Sequence, residues 1–452
     1  DLEDFFPSIN FGRVYGMFKA VPYSLKSEVA TVFAQIACYK NALPQGAPTS
    51  PTISNMICSK LDGEMQRFAK QHRCTYTRYA DDITFSTNIN PFPLSVAELT
   101  AGKVSLSTGL AEIITRNGFK VNEKKSRLQP FAFRQEVTGL VVNQFVNVKR
   151  NYIRNIRSAL YKWEKLGIDK VSDEYFARYC PDHKRASTKD FKKVIRGKLE
   201  HIRMVRDNEI PEVRSKRLAV FYSLLDRFHV NNLRDFTGTV IRTEGKTDWM
   251  HLSAAFSALR DLRKFKDLQL DFYTTHDHLF YGSKNQNKFC EKVKNGKIRP
   301  FNSKIICVFD RDEGDIIKNH GSGPIKDWGG NVFSLLLPET GLDGLEYFSV
   351  ELLYDEKILL KEVDGFRLFL SSEFNPDGRH KRDLNIRFKG NLDALKKPLW
   401  VIDSDVIDEN TRKNIALSKW RFANAVHRQV PSFENIDFSK FEKLFEIIER
   451  VK

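Results

Sequence analysis

Tyr79-Ala80-Asp81-Asp82 sets two adjacent acids between Cys74–Arg78 and Ile83–Ser86, segments rich in Thr, Tyr, Ile and Phe. Such flanks predict a strand–turn–strand with both acids in the turn. Two acids in a hairpin turn are by themselves only turn residues. Asp1 supplies a third, five residues ahead of an aromatic in Asp1-Leu2-Glu3-Asp4-Phe5-Phe6-Pro7. If Asp1 and Asp81 share metal, with Asp82 beside them, two Mg²⁺ ions could clamp an attacking 3′-oxygen and a leaving pyrophosphate. A ring at Phe6, beneath the sugar of an incoming nucleotide, would leave no room for a 2′-hydroxyl. Phe5 reads as ordinary core.

Two further segments follow in order. Leu43-Pro44-Gln45-Gly46-Ala47-Pro48 is a Pro/Gly loop ahead of a helix predicted from about Ile53 to Gln71, with Ser50 or Thr52 as its cap. Gly118-Phe119-Lys120-Val121-Asn122-Glu123-Lys124-Lys125 is a turn that brings a lysine near the acids, where it could protonate pyrophosphate. Lys124 reads as a solvated charge. The four segments together resemble motifs A to D of reverse transcriptases. The resemblance implies a palm with Asp1, Asp81 and Asp82 at the Mg²⁺ site and Phe6 as sugar gate. It puts Gln45 and Gly46 in the template–dNTP pocket and makes Lys125 the motif D lysine. Val137-Thr138-Gly139, just beyond, is similar to the Val-Thr-Gly element of bacterial retron reverse transcriptases, which helps recognise a structured noncoding RNA. The chain opens on Asp1 itself, so the family's fingers region is expected upstream of it.

Composition bounds what positions these residues. The 452 residues predict two to four domains, and 41% hydrophobic content with 35 Phe suffices for well-filled cores. No apolar run approaches the about 20 residues of a membrane span. Six cysteines, at 38, 58, 74, 180, 290 and 307, form neither a zinc pattern nor a disulfide framework, which fits a reducing cytoplasm. The net charge is +16, and residues 149–217 hold 20 Lys and Arg against 10 Asp and Glu. That excess marks a nucleic-acid face. Lys162, Lys192, Lys193, Arg196, Lys198, Arg203 and Arg206 are the candidates for phosphates, on helices that resemble the family's thumb.

The pattern changes near 231–238. Thr239-Val240-Ile241-Arg242 reads as a buried strand running into Thr243-Glu244-Gly245-Lys246-Thr247-Asp248 and a helix with Trp249, Leu252, Ala255, Phe256 and Leu259 on one face. Ile305–Phe309 is a second apolar strand ending in Asp310-Arg311-Asp312, and Val332–Leu337 a third ending at Pro338-Glu339. Functional groups of parallel α/β sheets gather at carboxyl ends of strands. Acids clustered there repel one another unless a cation such as Mg²⁺ or Mn²⁺ neutralises them. Strand–Glu-Gly-x-x-Asp–helix followed by strand–Asp-x-Asp is similar to the TOPRIM domain of topoisomerases, primases and certain nucleases. The resemblance implies that Glu244 is a metal ligand or general acid–base group, and that Asp248, Asp310 and Asp312 belong to the metal site. Glu346 or Glu351 would add a further acid. The segment after 357 carries no catalytic signature, and its last helix aligns Phe438, Phe441, Leu444, Phe445, Ile448 and Val451 as core or as a homo-oligomer contact.

The expected organisation is a palm of antiparallel sheet and helices at 1–148, a basic helical thumb at 149–236, an α/β TOPRIM domain with a mainly parallel sheet at 237–356 and an extension at 357–452. The expected function is that of a retron-type reverse transcriptase. It would copy a structured noncoding RNA into a branched RNA–DNA product, fused to a TOPRIM nuclease that acts in antiphage defence. The alternative is a reverse transcriptase of another bacterial class whose TOPRIM domain only binds nucleic acid or aids assembly.

Overall fold

The computed structural model describes residues 1–451 except 101, 180, 182–187, 278–279, 312–316, 319, 322, 339–347 and 397–398. Asp312, Glu339 and Glu346 lie outside the described residues. The chain divides into two compact units: Asp1–Ile156 with Arg196–Ala219, and Arg157–Ile195 with Val220–Lys452.

In the first unit, strand β1 (Leu2–Glu3) leads into helices α1 (Phe5–Ser8), α2 (Phe11–Lys19) and α3 (Ser27–Ala37). Helices α4 (Ser50–Ile57) and α5 (Ser59–Gln71) precede the hairpin β2 (Thr75–Tyr79) and β3 (Asp82–Ser86). The predicted helix therefore starts earlier than Ile53 and is broken at Cys58. Neither proposed cap serves. Thr49 is the N-cap residue, without a side-chain bond, and the Ser50 hydroxyl instead donates to Pro44 O at 2.6 Å. That bond turns the Pro/Gly loop back on the helix start. A second hairpin, β4 (Ala97–Thr100) and β5 (Lys103–Leu106), and helix α6 (Thr108–Arg116) follow. Strand β6 (Lys120–Val121) then pairs antiparallel with β1, Leu2 facing Val121. Buried Leu2, Phe5, Ile9, Met65, Leu110 and Phe119 form the core beneath. Phe5 is core as expected, its ring stacked on Phe119. The small hairpin β7 (Glu136–Val137) and β8 (Leu140–Val141) follows.

Long helices α7 (Arg150–Leu166), α8 (Ile168–Tyr179), α9 (Thr188–Arg206) and α10 (Pro211–Arg234) come next, where the basic helical segment was expected.

The second unit holds a five-stranded sheet of β9 (Thr239–Thr243), β10 (Leu270–Phe272), β11 (Lys304–Phe309), β12 (Ile325–Asp327) and β13 (Val332–Leu336). Its order is β10-β9-β11-β13-β12, with only β12 antiparallel. Strands covered on both faces read as unbroken apolar runs. Along β11, Ile306 and Val308 join one core, while Ile305, Cys307 and Phe309 join another on the opposite face. Helix α11 (Asp248–Asp261) buries Leu252, Ala255, Phe256 and Leu259 in the first, and α12 (Ser283–Lys294) buries Phe289 and Cys290 in the second. The expected boundary at 356/357 has no counterpart in the packing. Leu368, Phe422, Phe441, Leu444, Phe445 and Ile448 share a core with Ile241, Leu252 and Ile306. The apolar stripe of the last helix is thus internal.

Candidate active sites

In the first unit, Tyr79 pairs with Asp82, so Ala80 and Asp81 alone form the turn of the β2–β3 hairpin. Ala80 takes φ 51°, a left-handed value that costs an L-residue about 1 kcal/mol. Two bonds hold it there. Arg78 Nη1 donates to Ala80 O at 3.0 Å, and Leu2 N donates to Asp81 O at 3.0 Å. Arg78 is itself anchored: Nε and Nη2 reach the two oxygens of Asp62 on α5 at 2.8 and 2.7 Å, and Tyr76 OH donates to Asp62 Oδ1 at 2.7 Å. Burial pushes the Asp62 carboxyl up, but these hydrogen bonds outweigh it and hold the group below its ordinary value. The Arg78–Asp62 brace was not read from the sequence, although an Arg two residues before the turn was the available signal.

The Leu2–Asp81 bond sets Asp1 beside the hairpin. Asn122 N donates to Asp1 O at 2.9 Å, which brings the turn after β6 alongside. From that turn Lys125 Nζ reaches Asp1 Oδ2 at 3.0 Å. Asp1 Oδ1 is buried and accepts no hydrogen bond. Asp1, Asp82, Lys125 and Thr138 all line one cavity of about 570 Å³. A buried carboxylate oxygen left without a donor is what a divalent cation would satisfy, so these acids fit Mg²⁺. Among the described residues, no three acidic, histidine or cysteine side chains close on one point as a ready ligand set in either unit.

Phe6 is half-buried at the edge of the core, edge-on to Phe5. Gln45 and Gly46 are exposed on the loop before α4, with Gly46 at φ 90°. Val137-Thr138-Gly139 falls in the β7–β8 hairpin, with Thr138 and Gly139 at φ 45° and 84°. Two positive φ values define a tight primed turn, in which glycine is at ease and a β-branched residue is strained. Glu136, at the start of this hairpin, is buried and paired with Arg134 at 2.6 Å and Lys149 at 2.7 Å.

The basic residues chosen for phosphate contact divide by their partners. Lys192 pairs with Asp235 at 2.7 Å, and Arg206 bonds Asn147 Oδ1 at 2.8 Å and Arg217 O at 3.2 Å, which are internal roles. Lys162, Lys193, Arg196 and Arg203 pair with Glu174, Asp190 and Glu200 on the helix surfaces. Lys198 lies over the Tyr152 ring. Exposed pairs of this kind are worth little.

In the second unit the sheet delivers Glu244 after β9 and Asp310 after the adjacent β11. Asp310 N donates to Glu244 Oε2 at 3.3 Å. Asp248 opens α11 and accepts from Gly245 N at 2.5 Å. A Cβ at 245 would collide with the Asp248 carboxylate, which explains the glycine in Glu-Gly-x-x-Asp. Asp310 Oδ1 accepts from Val350 N at 3.2 Å, and the next residue, Glu351, is buried. Glu351, one of the two alternatives for a further acid, is at the site, and Glu346 lies outside the described residues. Burial first, then the charges of Asp248, Glu351 and Glu244, push the Asp310 carboxyl well above its ordinary value. This oxygen-only donor set fits a hard divalent cation, whose charge would reverse that shift.

One cation is already present. Lys419 Nζ lies 3.1 Å from Glu351 Oε2, at the start of helix Lys419–His427. Burial works against its charge, but Glu351 and Asp310 hold its pKa above the ordinary lysine value. The sequence reading missed Lys419, since nothing in Ser418-Lys419-Trp420 marks it.

Residues 1–139 match the family model described as reverse transcriptase (RNA-dependent DNA polymerase). Retron Ec86 reverse transcriptase of Escherichia coli is 39% identical over 162 residues, covering 36% of this chain and 47% of that protein. Retron Mx162 and Mx65 reverse transcriptases of Myxococcus xanthus are 36% and 32% identical over 187 and 180 residues, each covering 36% of this chain and 39% of the relative. The chain therefore spans less than half the length of these relatives. Its N-terminal third is similar to retron reverse transcriptases.

Proposed function

We propose that the full-length protein is a retron-type RNA-directed DNA polymerase carrying a second, metal-dependent phosphodiesterase site. The observation that supports the first activity most directly is the Leu2–Asp81 bond, which sets Asp1 against the hairpin, so that Asp1, Asp82 and Lys125 line one cavity. Asp1, Asp81 and Asp82 would hold Mg²⁺, which supplies charge neutralisation at the attacking and leaving oxygens. Lys125 Nζ holds a proton beside Asp1 for the leaving pyrophosphate. Phe6 excludes a 2′-hydroxyl, Gln45 and Gly46 border the dNTP, and the Thr138 turn meets a structured noncoding RNA.

At the second site, Glu244, Asp248 and Asp310 would hold Mg²⁺ or Mn²⁺, and Asp312 is proposed to join them. Glu351 and Lys419 fix the inner side of the cluster. We read this α/β unit as a TOPRIM-type nuclease effector, and the whole as an antiphage system in the cytoplasm. Among the described residues, no helix is long and apolar enough to cross a membrane.

The test is to purify the full-length protein with its nucleic acid and sequence what accompanies it. A small DNA joined to a structured RNA through a 2′,5′ branch, absent from an Asp81→Asn variant, is expected. Heterogeneous RNA without such DNA would exclude the retron reading. For the second site, Asp310→Ala should abolish cleavage and leave DNA synthesis intact. A module that only binds nucleic acid would lose nothing.

A further inference from the structure

A cavity of about 330 Å³ opens beside helix α10 and is lined by Leu225, Leu233, Arg242, Phe280, Lys288 and Lys292 among others. Arg242 sits on β9 opposite Cys307 and is 3% exposed. Its guanidinium lies between two rings, 3.9 Å from the centroid of Phe280 and 4.6 Å from that of Phe289. Nη2 donates to Phe280 O at 3.0 Å, whereas Nε is buried without a partner. Among the described residues no carboxylate is in ion-pair contact with it. Two aromatic faces offset only part of the cost of burying the ion. Removing an ion from water costs several kcal/mol even after relaxation. The charge is therefore undercompensated. Around the same cavity Lys288 is exposed and Lys292 is tied to Asp226 at 2.8 Å.

We infer that this cavity binds a nucleoside monophosphate, its phosphate on Arg242 and Lys288 and its base against the wall of Leu225, Leu233 and Phe280. A guanidinium with donors to spare recognises a phosphate monoester by charge-assisted bonds. The volume exceeds what phosphate alone fills and lies within the range of small-ligand pockets. The 5′ end of a strand presents the same monoester.

The test is calorimetric titration of the full-length protein with AMP in EDTA, where metal-dependent triphosphate binding is silent. AMP is expected to bind at least tenfold more tightly than adenosine or inorganic phosphate. Lys288→Ala should weaken it about tenfold. Asp226→Asn, which removes an exposed negative charge and frees Lys292, should tighten it. Arg242→Gln should abolish binding if the variant melts cooperatively, but the two surface variants carry the test without it. A 5′-phosphorylated dinucleotide that displaces AMP identifies strand ends as the source of the monoester, and failure to displace it identifies free nucleotide. No AMP binding at millimolar concentration, or equal affinity in wild type, Lys288→Ala and Asp226→Asn, overturns the inference.

Discussion

Lys419 Nζ stands 3.1 Å from Glu351 Oε2, joining a helix near the C-terminus to the acid cluster at the strand ends. The Glu351 side chain is 2% exposed. Lys419→Met should therefore destabilise the protein by about 3 kcal/mol, the cost of a buried charge left unpaired. Urea unfolding would measure it. Adding Glu351→Gln should recover most of the loss, and a double variant no more stable than the single would remove the pair from this account.

His251 predicts an acid limb in stability. It is buried on α11 with Nδ1 2.9 Å from Tyr354 OH, and burial lowers its pKa to about 4. Between the ordinary value of 6.5 and about 4 the unfolded chain binds the proton that the folded chain refuses. Stability from this group is thus full above pH 6.5 and lost as pH falls towards 4. A His251→Gln variant should show a flatter melting-temperature profile over that window, and identical slopes would refute it.

Lys125 is expected to act on chemistry more than on binding. Lys125→Ala should lower kcat for primer extension by about a hundredfold or more, the usual worth of a general acid, with little change in KM. Lys125→Arg should not restore it, because guanidinium does not release its proton. Full rescue by arginine would assign Lys125 a purely electrostatic role.

Thr138 separates strain from recognition. A β-branched residue at φ 45° costs of order 1 kcal/mol, and asparagine is at home in that conformation. Thr138→Asn should raise stability by about 1 kcal/mol and weaken binding of the cognate RNA. Unchanged stability would show that the turn relaxes around threonine.

Much of this was legible in residue order. Alternating or continuous apolar runs located β2, β3, β9, β11 and β13 within one or two residues, because strand periodicity is written locally. Turn chemistry placed Asp81 between strands, and Glu-Gly-x-x-Asp marked Glu244 and Asp248, whereas the packing of the Asp248 carboxylate against Gly245 came from the structure. Local reading failed where competing hydrogen bonds decide. Ser50 looked like a helix cap, but its hydroxyl is taken by Pro44 O.

What the sequence by itself determined is a set of local features: an acid in a tight turn, a lysine in a later turn, and strands ending in carboxylates. Tertiary structure alone decided who meets whom. Asp62 braces Arg78 across 16 residues, Lys125 reaches Asp1 across 124, and Lys419 reaches Glu351 across 68. It also merged residues beyond 357 into the core of the α/β unit and left Arg242 buried beside a cavity. Such pairings depend on packing of distant segments, and a solitary lysine or arginine in the chain carries no mark of the partner it will find.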